Sequence, residues 1–320
     1  MRMIFALAGF VLAALAPAGA QEWPSQKPIR ILVGFGAGGG TDIVTRIVAQ
    51  PLGELLGQTI VVENKAGAGS TLASNEVAKA PKDGYTAVML SAGHTVSAAM
   101  FKSLPYDSVK DFAPVALVGD SCLVIVARKD LPANDIKGLV ALAKKDPGKL
   151  NFASVGVGST QHFSGELLNQ LTGIQVQHVP YRGTPAVVTA LRSGEADYAV
   201  ELAQTVAGQI EAGEMKLLAV GSPQRWPTLP NAPTVAEQGV KEYAVVSWYG
   251  LAYPAGTPAA IVNKTNAAMK EVLARPAIQE QLAKVGVIAH YTTPAEFGAH
   301  LDKEVATWKS VREKANIAQN

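Results

Sequence analysis

Cysteine is nearly missing from this 320-residue chain: Cys122 stands alone, so no intramolecular disulfide can form. A free thiol in an oxidising compartment is best kept buried, and Leu123-Val124-Ile125-Val126 directly after it supplies an apolar setting. One cysteine with scattered histidines meets no zinc-ligand spacing, so no metal site is expected. Long apolar runs are missing after the N-terminus, where nothing beyond Gln21 approaches the ~20 uninterrupted residues of a membrane span. Neither charge dominates: 28 Lys+Arg, less the N-terminal Arg2, leaves 27 against 26 Asp+Glu, which argues against nucleic acid as a partner. Catalytic signatures are also absent, with no G-x-S-x-G, no G-x-x-x-x-G-K-[ST] and no H-E-x-x-H. No enzymatic chemistry and no cofactor are therefore expected.

What is present begins with Met1-Arg2, an apolar stretch from Met3 to Leu15, and Pro17-Ala18-Gly19-Ala20 before Gln21. This order of charged start, short apolar run and small residues predicts a cleavable secretory signal over residues 1–20, and hence a soluble, periplasmic product. The remaining length of about 300 residues suits two domains of ~150.

Short β-rich runs then alternate with helical patterns. Strands are predicted at Ile29–Val33, Thr59–Glu63, Thr86–Leu90, Leu123–Ala127, Leu150–Ala153, Gln175–Val179, Tyr198–Val200, Leu217–Val220 and Gly250–Tyr253. Between them lie a helix over Asp42–Leu56 and others opened by Asp135, by Ser159-Thr160, by Thr184-Pro185 and by Thr257-Pro258. Thr234 and Glu237 have the spacing of a capping box. The alternation predicts an α/β fold with parallel βαβ units.

Two glycine loops carry the functional argument. Gly34-Phe35-Gly36-Ala37-Gly38-Gly39-Gly40-Thr41-Asp42 joins a strand to a helix, and Ser154-Val155-Gly156-Val157-Gly158-Ser159-Thr160 repeats the build in the second half. Glycine lets a ligand reach peptide N–H groups without Cβ interference, and the following helix presents unsatisfied donors at its positive end. Such an end is an anion site. Two of them across a cleft suit a dicarboxylate, an aromatic carboxylate or an amino acid. A rival reading remains open: Gly34, Gly36 and Gly39 spell G-x-G-x-x-G, and Glu63 ends the next strand where a ribose-binding acid belongs, as in an exported dinucleotide-dependent oxidoreductase.

With these loops the chain resembles the Bug family, the periplasmic solute-binding receptors of tripartite tricarboxylate transporters. The matching pieces are Phe35 to Asp42, Val62-Glu63-Asn64-Lys65-Ala66-Gly67-Ala68-Gly69, Asp83-Gly84-Tyr85-Thr86, Gly158-Ser159 with His162, and Val179-Pro180-Tyr181-Arg182-Gly183. They continue in order through Gly194-Glu195-Ala196-Asp197, Pro230 to Gly239, and Pro254-Ala255-Gly256-Thr257-Pro258. The resemblance implies a two-lobed type II periplasmic-binding-protein fold, each lobe a mostly parallel sheet flanked by helices. It also implies a monomer that presents its closed form to integral-membrane transporter subunits. By matching motif, Gly38, Gly39, Thr41 and Asp42 would line the first lobe and Ser154, Gly158, Ser159 and Thr160 the second. Tyr181, Arg182 and the segment from Asp197 to Glu201 would lie at or beside the cleft. Resemblance and pattern together divide the chain into residues 21–125 plus 247–320 for one lobe and 126–246 for the other.

Further candidates are individual side chains. Ser91 and His94 follow a strand and could face the cleft; His162 falls in a first helical turn, where packing or capping competes with binding. Arg182 could grip a carboxylate or pair with another element. Glu201 stands where the family often has aspartate, and is either a longer reach into the cleft or a solvated acid. Among the four tryptophans, Trp248 lies nearest the proposed hinge.

Overall fold

Two βαβαβα units, each alternating strands with helices, organise the chain. The computed structural model describes residues 23–67 and 70–319, so the secretory signal expected over residues 1–20 lies outside the described residues. The first unit comprises β1 (Ile29–Val33), α1 (Gly40–Leu56), β2 (Ile60–Asn64), α2 (Thr71–Ala78), β3 (Thr86–Ser91) and α3 (Ala92–Met100). A long strand, β4 (Phe112–Arg128), and α4 (Ile136–Lys145) lead to the second unit. This holds β5 (Asn151–Ser154), α5 (Thr160–Thr172), β6 (Gln177–Pro180), α6 (Thr184–Ser193), β7 (Tyr198–Leu202) and α7 (Ala203–Glu211). The chain ends with β8 (Met215–Val220), β9 (Val246–Pro254), α8 (Ala259–Ala274), α9 (Pro276–Lys284), β10 (Val287–Ala289) and α10 (Pro294–Lys314).

The strands run in the order β2-β1-β3-β9-β4-β7-β5-β6, with β8 and β10 also on β4. β1 pairs in parallel with β2 and β3, and β5 with β6 and β7, as βαβ crossovers require. β3 is buried along its whole length, which explains its unbroken apolar sequence. The two halves meet through β4: Phe112–Cys122 pair antiparallel with β9, and Leu123–Arg128 pair with β7 and β8. A second crossing lies beside it, where Gly221 N–H donates to Leu123 O (2.7 Å) and Val245 N–H to Gly221 O (2.8 Å) just before β9.

Each half has a core, although Val96, Ala99 and Met100 of α3 pack into that of the second half. Ile29, Ile31, Val33, Val44 and Met89 gather in one, Phe152, Phe163, Tyr198 and Leu218 in the other. α8 and α9 return to the first half through Val262, Met269 and Leu282. α10 departs from that expectation and serves both: Phe297 and Leu301 pack with Leu32 and Trp248, whereas Trp308 and Val311 join Phe152 and Phe163. Cys122 is buried, and burial pushes its thiol up to about 12.

Local signals explain the helix starts. Asp135 accepts from Gly138 N–H at 2.6 Å, and Thr293 with Glu296 forms a full capping box before α10. Thr234 and Glu237 make the same reciprocal bonds, at 2.8 and 3.0 Å, but a turn rather than a helix follows them. No helix among the described residues is long and apolar enough to cross a membrane.

Candidate functional site

The two glycine loops fold into the same turn. Gly36 O accepts from Gly39 N–H and Gly156 O from Ser159 N–H, both at 3.2 Å. Gly38 (φ 78°) and Gly158 (φ 81°) take left-handed backbone angles that a Cβ would strain. The N–H of each donates forward to a side chain four residues on, Gly38 to Asp42 Oδ2 (2.8 Å) and Gly158 to His162 Nδ1 (3.2 Å). Gly39 and Ser159 then occupy extended N-cap positions before α1 and α5.

Intrahelical bonding begins only with Ile43 N–H to Gly39 O (3.0 Å) and Phe163 N–H to Ser159 O (3.1 Å). No side chain caps α1, so the N–H groups of Gly40, Thr41 and Asp42 have no acceptor among the described residues. At α5 the Ser159 hydroxyl takes His162 N–H (3.1 Å), which leaves Thr160 and Gln161 N–H open. Each loop is thus a short row of donors at the positive end of a helix. Ser91, buried at the start of α3, makes no capping bond either.

Around the second loop lies a buried acid. Glu201 is fully shielded from solvent; its Oε2 accepts from Thr184 Oγ1 at 3.0 Å, while Oε1 has no partner. Burial pushes its carboxyl up to about 7 against the bonds from Thr184, Leu202, Gln161 and Thr205. Arg182 is exposed, and no carboxylate among the described residues pairs with it.

The sequence profile of the tripartite tricarboxylate transporter family receptor matches residues 44–317. The chain belongs to this receptor family. The solved periplasmic binding protein BugD is 34% identical, with TM-score 0.74, over 92% of this chain and 99% of its own. A Rhodopseudomonas palustris protein solved with adipate is 31% identical, with TM-score 0.78, over 93% and 100%. MatC from the same organism, solved with bound malate, is 32% identical, with TM-score 0.74, over 90% and 99%.

Several side chains expected at this receptor's cleft are placed elsewhere. Asp42 spends both oxygens on the loop itself, Oδ2 on Gly38 and Oδ1 on Arg46 Nε and Asn64 Nδ2, both at 2.9 Å. Ser154 is buried against His178 Nε2 (2.7 Å) and Gly156 N–H, and the Ser159 hydroxyl is taken by Gly156 O and His162 N–H. These three shape loops. His94 is fully buried, its ring nitrogens bonded to Ser74 Oγ (3.0 Å) and Ser108 O (2.8 Å), so it cannot face a ligand. Asp197 directly precedes β7 and accepts from Arg128 Nε (2.9 Å) and Asn151 N–H (2.8 Å), at the end of the strand opposite Glu201. Tyr181 follows β6 beside the second loop, its N–H on Ser154 O (2.9 Å), but its ring packs against the apolar cluster of Val187 and Leu191, with the phenol raised by burial and then by Glu195.

Trp248 is a packing residue. It is fully buried and donates Nε1–H to Glu304 at 3.2 Å, on the face of β9 that packs on α10. Its neighbour Tyr249 faces the loops: a Cβ at Gly40 would sit 2.9 Å from the Tyr249 hydroxyl. The dinucleotide reading loses its acid, because Arg30 holds both Glu63 oxygens at 2.7 Å.

Gly38, Gly39, Thr41, Ser91, Gly158, Thr160, Arg182 and Glu201 stay at the loop ends of the parallel strands. Sequence reasoning missed Gly40, Gln161, Thr184, Tyr249 and Ser70. Ser70 is a buried hydroxyl without a partner among the described residues, held at φ 78° before α2 and so close to Gly34 that a Cβ there would collide with it. The signal was present in the glycine-rich run before Ser70, between the strand and the helix that follow α1 in the same first unit.

Proposed function

We propose that this protein is a periplasmic receptor that traps a small organic carboxylate between two lobes, residues 21–125 with 247–320 and residues 126–246. It hands the closed form to integral-membrane subunits of a tripartite transporter. The observation that carries this reading is the pair of equivalent loops, one in each half, each with consecutive backbone donors that have no acceptor among the described residues. Backbone N–H groups hold an oxyanion without the desolvation cost of a second buried charge. Relatives solved with adipate and with malate support a dicarboxylate over a nucleotide. Thr41, Ser91 and Thr160 add hydroxyls at the rim, and Arg182 offers a cation at the mouth.

Calorimetric titration of the purified protein with adipate, malate, aspartate, benzoate and NAD tests it. Micromolar or tighter binding of a carboxylate without turnover is the expected result; NAD binding with hydride transfer would overturn the reading. Gly39→Val fills the approach to the α1 donors. A Cβ there meets only Gly36 O, at 3.2 Å, so the fold is expected to survive. Carboxylate affinity should fall at least ~10-fold, equivalent to about 1.4 kcal/mol.

A further inference from the structure

Glu201 is the one site residue whose chemistry the carboxylate reading leaves unused. It lies at the end of β7 where three helices begin, with Thr184 opening α6, Gln161 in the first turn of α5 and Thr205 in that of α7. A carboxyl group shielded on all sides and bonded through a single oxygen is unstable as an anion unless a cation reaches it. None does, since its bonding partners are hydroxyl, amide and backbone groups. Its Oε1 is without a partner among the described residues, and the Gln161 side chain beside the carboxyl belongs to the first turn of α5, whose open N–H groups are where the ligand's own negative charge would come to rest.

We propose that Glu201 couples ligand capture to protonation. A carboxylate bound at the second loop is accompanied by uptake of one proton from solvent onto Glu201, whose new O–H becomes a donor in the site. The balance is simple: ligand carboxylate, Glu201 carboxylate and one solvent proton give ligand carboxylate beside Glu201 carboxylic acid. Two anions in one shielded space are thereby avoided, as in any pair of acids that share a site. The inference rests on the carboxylate reading and adds a discrimination to it, since a neutral or cationic solute would not raise the cost of an ionised Glu201.

The surrounding charged groups do not mimic this behaviour. On α5, His162 is held down to about 3 by burial and by His178; on β6, burial holds His178 to about 4. Both are neutral throughout the neutral range. Glu166 on α5 is raised by burial, Asp120 on β4 pairs with His290, and Arg128 on β4 pairs with Asp197. Arg192 on α6 pairs with Glu214, and Glu211 ends α7. Arg182 is exposed on the turn before α6 and is not among the groups that act on Glu201.

The test is calorimetry with adipate, malate and benzoate in pairs of buffers of different ionisation enthalpy, from pH 6.5 to 8.5. The wild-type protein is expected to take up about 0.5–1 proton per bound carboxylate at pH 8, its affinity falling up to ~10-fold per pH unit above the Glu201 midpoint. Glu201→Gln should bind with an affinity that no longer depends on pH, whatever its strength, and with no proton uptake. Wild-type binding that is pH-independent and buffer-independent would overturn the proposal and leave the carboxylate reading standing. Proton uptake that persists in Glu201→Gln would also overturn it, assigning the proton to another group such as Glu166. Were none of the three carboxylates to bind, the site reading itself would fall and this one with it.

Discussion

Asp42 accepts three hydrogen bonds and is almost out of reach of water. Burial alone would raise its carboxyl, but Arg46, the Gly38 N–H and Asn64 outweigh it and hold the group below the usual carboxylate range. A folded value below the unfolded one contributes stability that is present above the ordinary aspartate range and is lost as pH falls through the folded value. Asp42→Asn keeps the shape, exchanges one acceptor for a donor and removes the charge. It is expected to cost about 1–3 kcal/mol in urea unfolding at pH 7 and to flatten the stability loss below pH ~4. A variant as stable as wild type would show that Gly38 and Asn64 find other acceptors. At this scale the sequence was readable for residue type and poorly readable for direction. Asp42 belongs to the loop but points into it, and Trp248 and its neighbour Tyr249 take opposite faces of β9, as successive residues of a strand do.

At the scale of elements, the glycine loops were legible because no other residue supplies φ near 80° at Gly38 and Gly158 without strain. α3 and α7 were not anticipated. Their sequences, AGHTVSAAM and AQTVAGQIE, are short, rich in small residues and carry no capping side chain, so neither periodicity nor a start signal marks them. β4 was read only over its second half, because Pro114 and Gly119 break the first half where its register on β9 shifts. The second loop makes its own prediction. His162 Nδ1 must stay unprotonated to accept Gly158 N–H, and its ring stacks on His178 at 3.8 Å between centroids. Burial holds the two imidazoles down to about 3 and about 4 against an ordinary 6.5. Stability from such histidines is full above pH ~6.5 and is lost as pH falls toward the folded values. The imidazole proton resonances of His162 and His178 should not titrate between pH 8 and 5, while the thermal midpoint should fall between pH 6.5 and 4.5. An ordinary titration near 6.5 for either ring would contradict the geometry.

At the scale of the whole molecule, two strand crossings alone would leave the halves loosely joined, and α10 adds a third connection. The family resemblance anticipated two lobes but not one continuous ten-stranded sheet, since strand order depends on β4 passing from β9 to β7 and β8. Glu304 is where α10 is fastened. Its Oε2 accepts the indole N–H of Trp308 (2.8 Å) and of Trp248 (3.2 Å), and Thr95 Oγ1 lies 3.5 Å away on α3. One carboxylate thus ties the last helix to β9 in the first half and, through Trp308, to the core of the second. It borders a groove of about 650 Å³, lined also by Trp226, Leu117 and Val246. Burial raises the Glu304 carboxyl, against the bonds from the two indoles and Thr95.

Glu304→Ala strands two buried indole N–H groups, each costing about 1–3 kcal/mol without a partner. Glu304→Gln keeps an amide oxygen for the same donors and should cost less than half as much. The fastening also constrains motion, because Trp308 cannot follow the second half without carrying Trp248 with it. In solution scattering, wild type is therefore expected to show a single narrow distribution of sizes, and Glu304→Ala a broader one. Equal stability of all three proteins by urea unfolding, with unchanged scattering, would mean that the two crossings alone set how the halves move.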